Sequence, residues 1–131
     1  MDSDREQLKQ VILPLNYSKA LKNYIQFINF EKGLSENTKS SYLNDLNLYL
    51  QFIVINEITD FNDISSEIIA SFLNSLYEFG LSNTSRARYL SSIKGFHKYL
   101  FTIGKVKEDY SELVDLPKSH KKLPDTLSIY E

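Results

Sequence analysis

From residue 18 onward, apolar side chains return every three or four positions, the interval that gathers them on one face of a helix. Leu21, Tyr24, Ile25 and Ile28 form such a stripe and predict a first helix over residues 18–32. Tyr42, Leu46, Tyr49, Leu50 and Ile53 predict a second over residues 36–55. A connector over residues 56–64 holds Asp60, Asn62 and Asp63. The third helix is expected to start at Ser65 or Ser66, with Glu67 in its first turn and Ile68, Ile69, Phe72, Leu73 and Leu76 inward. The fourth is expected over residues 83–103, burying Tyr89, Ile93, Phe96 and Leu100 and stopping at Gly104. A short fifth helix is expected over residues 110–114. The three prolines stand at positions 14, 117 and 124, so no proline ring interrupts the region between them. Four to five helices joined by short turns make an all-α bundle.

Two of the predicted helix starts carry nearly the same residues, 47 positions apart: Gly33-Leu34-Ser35-Glu36-Asn37-Thr38-Lys39 and Gly80-Leu81-Ser82-Asn83-Thr84-Ser85-Arg86. A tyrosine follows each in register, Tyr42 and Tyr89. Ser35 and Ser82 are N-cap candidates, since a short hydroxyl can accept from a backbone N–H of the first turn. The glycine before each suits the end of the preceding helix, where a left-handed backbone is needed. Open N–H groups, short hydroxyls and a cation one turn on make a helix start a good seat for a phosphate.

Composition narrows the classes. A chain of 131 residues, 42% of them hydrophobic, is expected to form one domain with its own core. With no cysteine, disulfides, thiolate metal sites and a Cys nucleophile are excluded together, which fits a reducing cytosol. No run approaches the ~20 apolar residues of a membrane span, and the start Met1-Asp2-Ser3-Asp4 lacks the layout of a signal peptide. The cytoplasm is therefore the expected location, and no membrane is expected as a partner.

The formal net charge of −2 speaks against indiscriminate binding to nucleic acid, but the charges are segregated. Residues 40–85 contain no Lys or Arg, only Asp45, Glu57, Asp60, Asp63, Glu67 and Glu78. Residues 86–107 contain no Asp or Glu, only Arg86, Arg88, Lys94, Lys98, Lys105 and Lys107. Lys118, His120, Lys121 and Lys122 form a further cluster. Such an arrangement gives one surface a positive potential while the total stays near neutral. After Leu116 the apolar stripe ends, and Pro117-Lys118-Ser119-His120-Lys121-Lys122-Leu123-Pro124 reads as an interdomain linker. Leu127-Ser128-Ile129-Tyr130-Glu131 looks like the cap and first turn of another helix. The expected organisation is an N-terminal extension over residues 1–17, a helical domain over 18–116, and a linker leading into a further domain over 117–131.

Catalytic chemistry is not legible. The only histidines, His97 and His120, are separated by a predicted helix end, and His97 is expected to be a partly exposed helix residue. No His-x-x-x-His pair, Gly-rich phosphate loop or Ser/His/Asp order occurs. Asp60, Asn62 and Asp63 superficially resemble a calcium loop, but lack its Gly and bidentate Glu and are expected to cap helices instead. No metal and no cofactor are expected. Most aromatics fall at helical spacing and are expected in the core, while the hydroxyls of Tyr42 and Tyr89 could emerge near the basic edge.

The opening Gly-Leu-Ser-x-x-Thr-x-x-x-Tyr-x-x-Asp-Leu, from Gly33 to Leu46, resembles the N-terminal core-binding, SAM-like domain of tyrosine recombinases of the Xer and phage-integrase type. Gly80-Leu81-Ser82, then Ser85, Arg88, Leu90-Ser91, Lys94, Phe96 and Tyr99-Leu100, are similar to that family's second signature, with Ser85 where Thr is usual and Lys94 where Arg is common. Leu116-Pro117-Lys118, Leu123-Pro124, Leu127-Ser128 and Glu131 resemble its linker and the opening of its catalytic domain. The resemblance covers residues 18–131.

It implies one half of a C-shaped clamp on double-stranded DNA, with the second and fourth helices entering the major groove. It also implies cleavage chemistry in a C-terminal domain outside this chain, so no catalytic residue is expected here. The DNA-binding candidates are Thr38, Lys39, Tyr42, Ser85, Arg86, Arg88, Tyr89, Ser92, Lys94, Lys98, Lys121 and Lys122. Arg88 is favoured over Arg86 on its match to the motif. Not all can face the same way, because positions 39, 42 and 46 share one helix face and 85, 88 and 92 another. A monomer is expected for the isolated domain, and recombinase protomers on DNA as partners of the full-length protein. The rival reading is a helical protein-interaction module whose acidic residues 57–78 meet a basic partner.

Overall fold

Pro14 opens the first helix. Its carbonyl accepts from the backbone N–H groups of Tyr17 and Ser18, both at 3.0 Å, and a proline at a helix start forfeits no hydrogen bond. The computed structural model describes residues 12–116. They form α1 (Leu15–Lys32), α2 (Glu36–Ile55), a 3-10 turn (Phe61–Asp63), α3 (Ser66–Glu78) and α4 (Asn83–Thr102). The described residues form an all-helical bundle with no strand. The expected α1 start at Ser18 was one turn late, and the added turn matters. It places Tyr17 in the core, its ring 4.5 Å from that of Phe61 and its hydroxyl donating to the Ile58 carbonyl at 2.8 Å. Residues 15–17, read from sequence as extension, thus belong to the bundle.

The turns obey their sequence signals. Gly33 ends α1 in the left-handed region at φ 63, and its N–H returns to the Asn29 carbonyl at 2.7 Å. Gly80 plays the equivalent part between α3 and α4 at φ 96. Asp60 and Ser65 cap, as their types suggest. Asp60 accepts from the Asn62 N–H, and Ser65 accepts from that of Ile68.

The centre is formed by α2 and α4, each of which packs against all three other helices. Leu90, Ile93, Phe96 and Leu100 are buried there against Leu46, Tyr49, Leu50 and Ile53 of α2 and Ile69, Phe72, Leu73 and Leu76 of α3. Tyr42, Tyr89, Ile25 and Ile68, expected inward, are only half-buried at the edge of this cluster. Where α1 crosses α4, a Cβ on Gly95 would stand 2.5 Å from the Tyr24 hydroxyl, so the approach requires a residue without one.

Two further expectations fail. Residues 110–114 form turns rather than a helix. The Asp109 carboxylate accepts from both the N–H of Ser111 (3.0 Å) and its hydroxyl (2.7 Å), which gives the backbone a local alternative to helical bonding. His97 is fully buried rather than partly exposed. Its Nε2 lies 2.7 Å from the Tyr49 hydroxyl, while Nδ1 has no partner. Burial lowers its pKa to about 4, so the ring is neutral near pH 7.

Candidate nucleic-acid interface

The two matching helix starts have matching geometry. Ser35 Oγ accepts from the Thr38 N–H at 3.1 Å, and Ser82 Oγ accepts from the Ser85 N–H at 3.1 Å. Each serine also meets the hydroxyl three residues on, at 3.0 Å for Thr38 and 3.4 Å for Ser85. The cap side chains thus already occupy one N–H that the sequence offered to a phosphate.

Beyond these caps the N-terminal halves of α2 and α4 lie side by side. Asp45 meets Arg88, and one turn later in α2 Tyr49 meets His97, so the two contacts progress in the same sense along both helices. Between these helices runs a cleft of about 230 Å³, lined by Thr38, Ser41, Tyr42 and Asp45 of α2 and by Arg88, Ser91 and Ser92 of α4.

Arg88 and Asp45 form a bidentate ion pair in this cleft. Nε donates to Oδ2 at 3.0 Å and Nη2 to Oδ1 at 2.9 Å. The Asp45 side chain is 5% exposed and that of Arg88 56%. The guanidinium carbon lies 5.1 Å from the centre of the Tyr89 ring. The hydrogen bonds to Asp45 raise the Arg88 pKa further above its ordinary value, and burial beside Asp45 raises that of Tyr89.

The remaining candidates scatter. Thr38 is exposed, Ser85 half-buried, Tyr42 half-buried in the wall of the cleft, and Tyr89 half-buried at the edge of the core with its ring 5.9 Å from that of Phe72. Lys39 is partly covered and pairs with Glu36 at 3.0 Å. Lys94 donates to the Glu112 carbonyl at 3.1 Å, and Lys98 is exposed. Lys121 and Lys122 lie outside the described residues. Two candidates are buried. Arg86 is 1% exposed, its Nη2 donating to Asn83 Oδ1 and its guanidinium 5.1 Å from the centre of the Tyr77 ring. It faces the core because position 86 shares a helix side with buried Leu90 and Ile93. Ser92, at 3% exposed, forms only the inner wall of the cleft.

The family profile described as phage integrase, N-terminal SAM-like domain, matches residues 21–104. The chain belongs to this family. Among curated relatives, a tyrosine recombinase XerD of Staphylococcus epidermidis is 38% identical over 111 residues, 85% of this chain and 38% of the relative. Proteins of the same name from Staphylococcus haemolyticus and Staphylococcus aureus are 37% and 36% identical over the same shares. The chain thus spans well under half the length of these relatives. No solved structure matches it significantly.

In this integrase-type domain the residue that sequence reasoning did not place at the site is Asp45, read there only as one acid of the cation-free stretch and as the Asp of the signature that ends at Leu46. A signal was present. Asp45 stands on the inward side of α2, one position before buried Leu46, with no Lys or Arg within one turn on its own helix. A buried carboxylate so placed needs a cation from another element. Ser41 and Ser91, the other exposed cleft residues not anticipated, carried no such signal.

Proposed function

We propose that this chain is the DNA-binding N-terminal domain of a site-specific tyrosine recombinase or integrase, gripping duplex DNA at the recombination site with α2 and α4. The observation that carries the reading is the joint cleft of those helices, with Thr38, Ser41 and the outer edge of Arg88 open to solvent on one side of an integrase-family bundle. Exposed Lys98 further along α4 suits the phosphate backbone, which supplies affinity and register, while few side chains read bases. The domain supplies grip, and no residue in it is assigned to strand cleavage. Cutting and rejoining belong to a longer parent protein, which acts as several protomers on DNA in the compartment that holds it. Among the described residues no helix is long and apolar enough to cross a membrane.

Mobility shift with a random duplex at rising salt tests this. Binding at low salt that weakens steeply with salt is the expected outcome, with a log–log slope of about −0.9 per neutralised phosphate. No binding at any salt would leave the protein-interaction reading in its place.

A further inference from the structure

The Asp45–Arg88 pair decides which edge of the guanidinium faces outward. A guanidinium carries five N–H donors in one rigid plane. Nε and Nη2 each spend one on Asp45, which leaves the end-on edge, Nη1 and the second proton of Nη2, pointing away from the carboxylate. The anchor is buried and the arginine more than half exposed, so the fixed edge faces the bundle and the remaining donors lie on its outer side, beside the Tyr89 hydroxyl, which also interacts with the guanidinium. The neighbouring Tyr89 ring further restricts how the plane can turn.

We propose that Arg88 is a specificity-determining residue that reads a guanine, its open edge donating to O6 and N7 in the major groove, and that Asp45 is the positioning residue that aims it. The inference rests on the DNA-binding reading above. Three features favour a base edge over a phosphate. The pair is neutral as a unit, which weakens its pull on a phosphate, whereas exposed Lys98 supplies a point charge without a fixed direction. Guanine presents two acceptors side by side, and two parallel donors of fixed orientation match them. Holding the side chain before DNA arrives also lowers the ordering cost of so directional a contact.

The test is selection of binding duplexes from a randomised pool by the 131-residue chain, followed by affinities of the selected duplex and its single-base variants at several salt concentrations. The wild-type chain is expected to enrich a site with an invariant guanine. Arg88→Ala should remove that preference, a loss of about 5- to 150-fold in discrimination at one position, with the salt slope unchanged. Asp45→Asn should weaken the same preference and steepen the slope, because the released guanidinium turns to phosphates. A purely structural Asp45 would instead weaken all duplexes equally and leave the preference intact. Since Arg88→Ala strands a buried carboxylate, the Asp45→Asn/Arg88→Gln double variant, folded by circular dichroism, serves as a second probe and should also lose the guanine preference. The proposal is overturned if either arginine variant keeps that preference, if Asp45→Asn leaves it intact, if Arg88→Ala merely lowers the slope by about one, or if a binding wild-type chain enriches no guanine. A chain that binds no duplex overturns the DNA reading itself, a result distinguishable from these.

Discussion

His97 is the side chain whose surroundings differ most from its ordinary setting. Its imidazole is enclosed by the α2–α4 interface, hydrogen-bonded to Tyr49 through Nε2, and held near a pKa of about 4 by burial, which the Asp109 charge only partly opposes. In the unfolded chain the ring titrates near 6.5. The unfolded state therefore binds more protons between those values, and stability must fall as pH drops from 6.5 to 4. The expected loss approaches about 3 kcal/mol at the acid end, read as a lower urea midpoint. In His97→Phe the profile should flatten over that window. A wild-type midpoint constant from pH 7 to 4 would contradict the burial of this ring.

At the level of elements, the repeated Gly-Leu-Ser signal was readable because helix starts are governed by local chemistry. Gly33 and Gly80 adopt the left-handed backbone, and Ser35 and Ser82 accept from the N–H three residues on. Neither depends on distant packing. Ser35→Ala and Ser82→Ala should each lower stability by about 1 kcal/mol, and the double variant by nearly the sum, as measured by denaturant unfolding. A cap loss without effect at either site would mean that packing alone defines that helix start. The same local rules misplaced the start of α1, where Pro14 rather than Ser18 sets the boundary, and the expected fifth helix, where Asp109 diverts the backbone.

Across the whole molecule, the charge run of residues 86–107 does not become a uniform cationic face. The helix distributes it around its circumference: Arg86 inward, Arg88 onto Asp45, Lys94 onto the Glu112 carbonyl, and Lys98 outward. On the DNA-binding reading, Lys98→Ala should reduce the magnitude of the salt slope by about one. Arg86→Met should leave affinity and slope unchanged, since it replaces a buried cation by an apolar side chain of similar length. A slope lowered by Arg86→Met but not by Lys98→Ala would reverse this assignment.

The sequence by itself determined the elements: the apolar stripes, the glycine–serine boundaries, the all-helical class and the family signature all depend on neighbours within a few positions. It also contained the clue to Asp45, an acid on an inward face with no cation nearby. Tertiary structure alone decided which cations reach solvent, that His97 is enclosed, and that Asp45 and Arg88, 43 positions apart, become one bidentate pair. The reason is that charge and burial are properties of a surface, and this surface exists only after α2 and α4 have packed against each other.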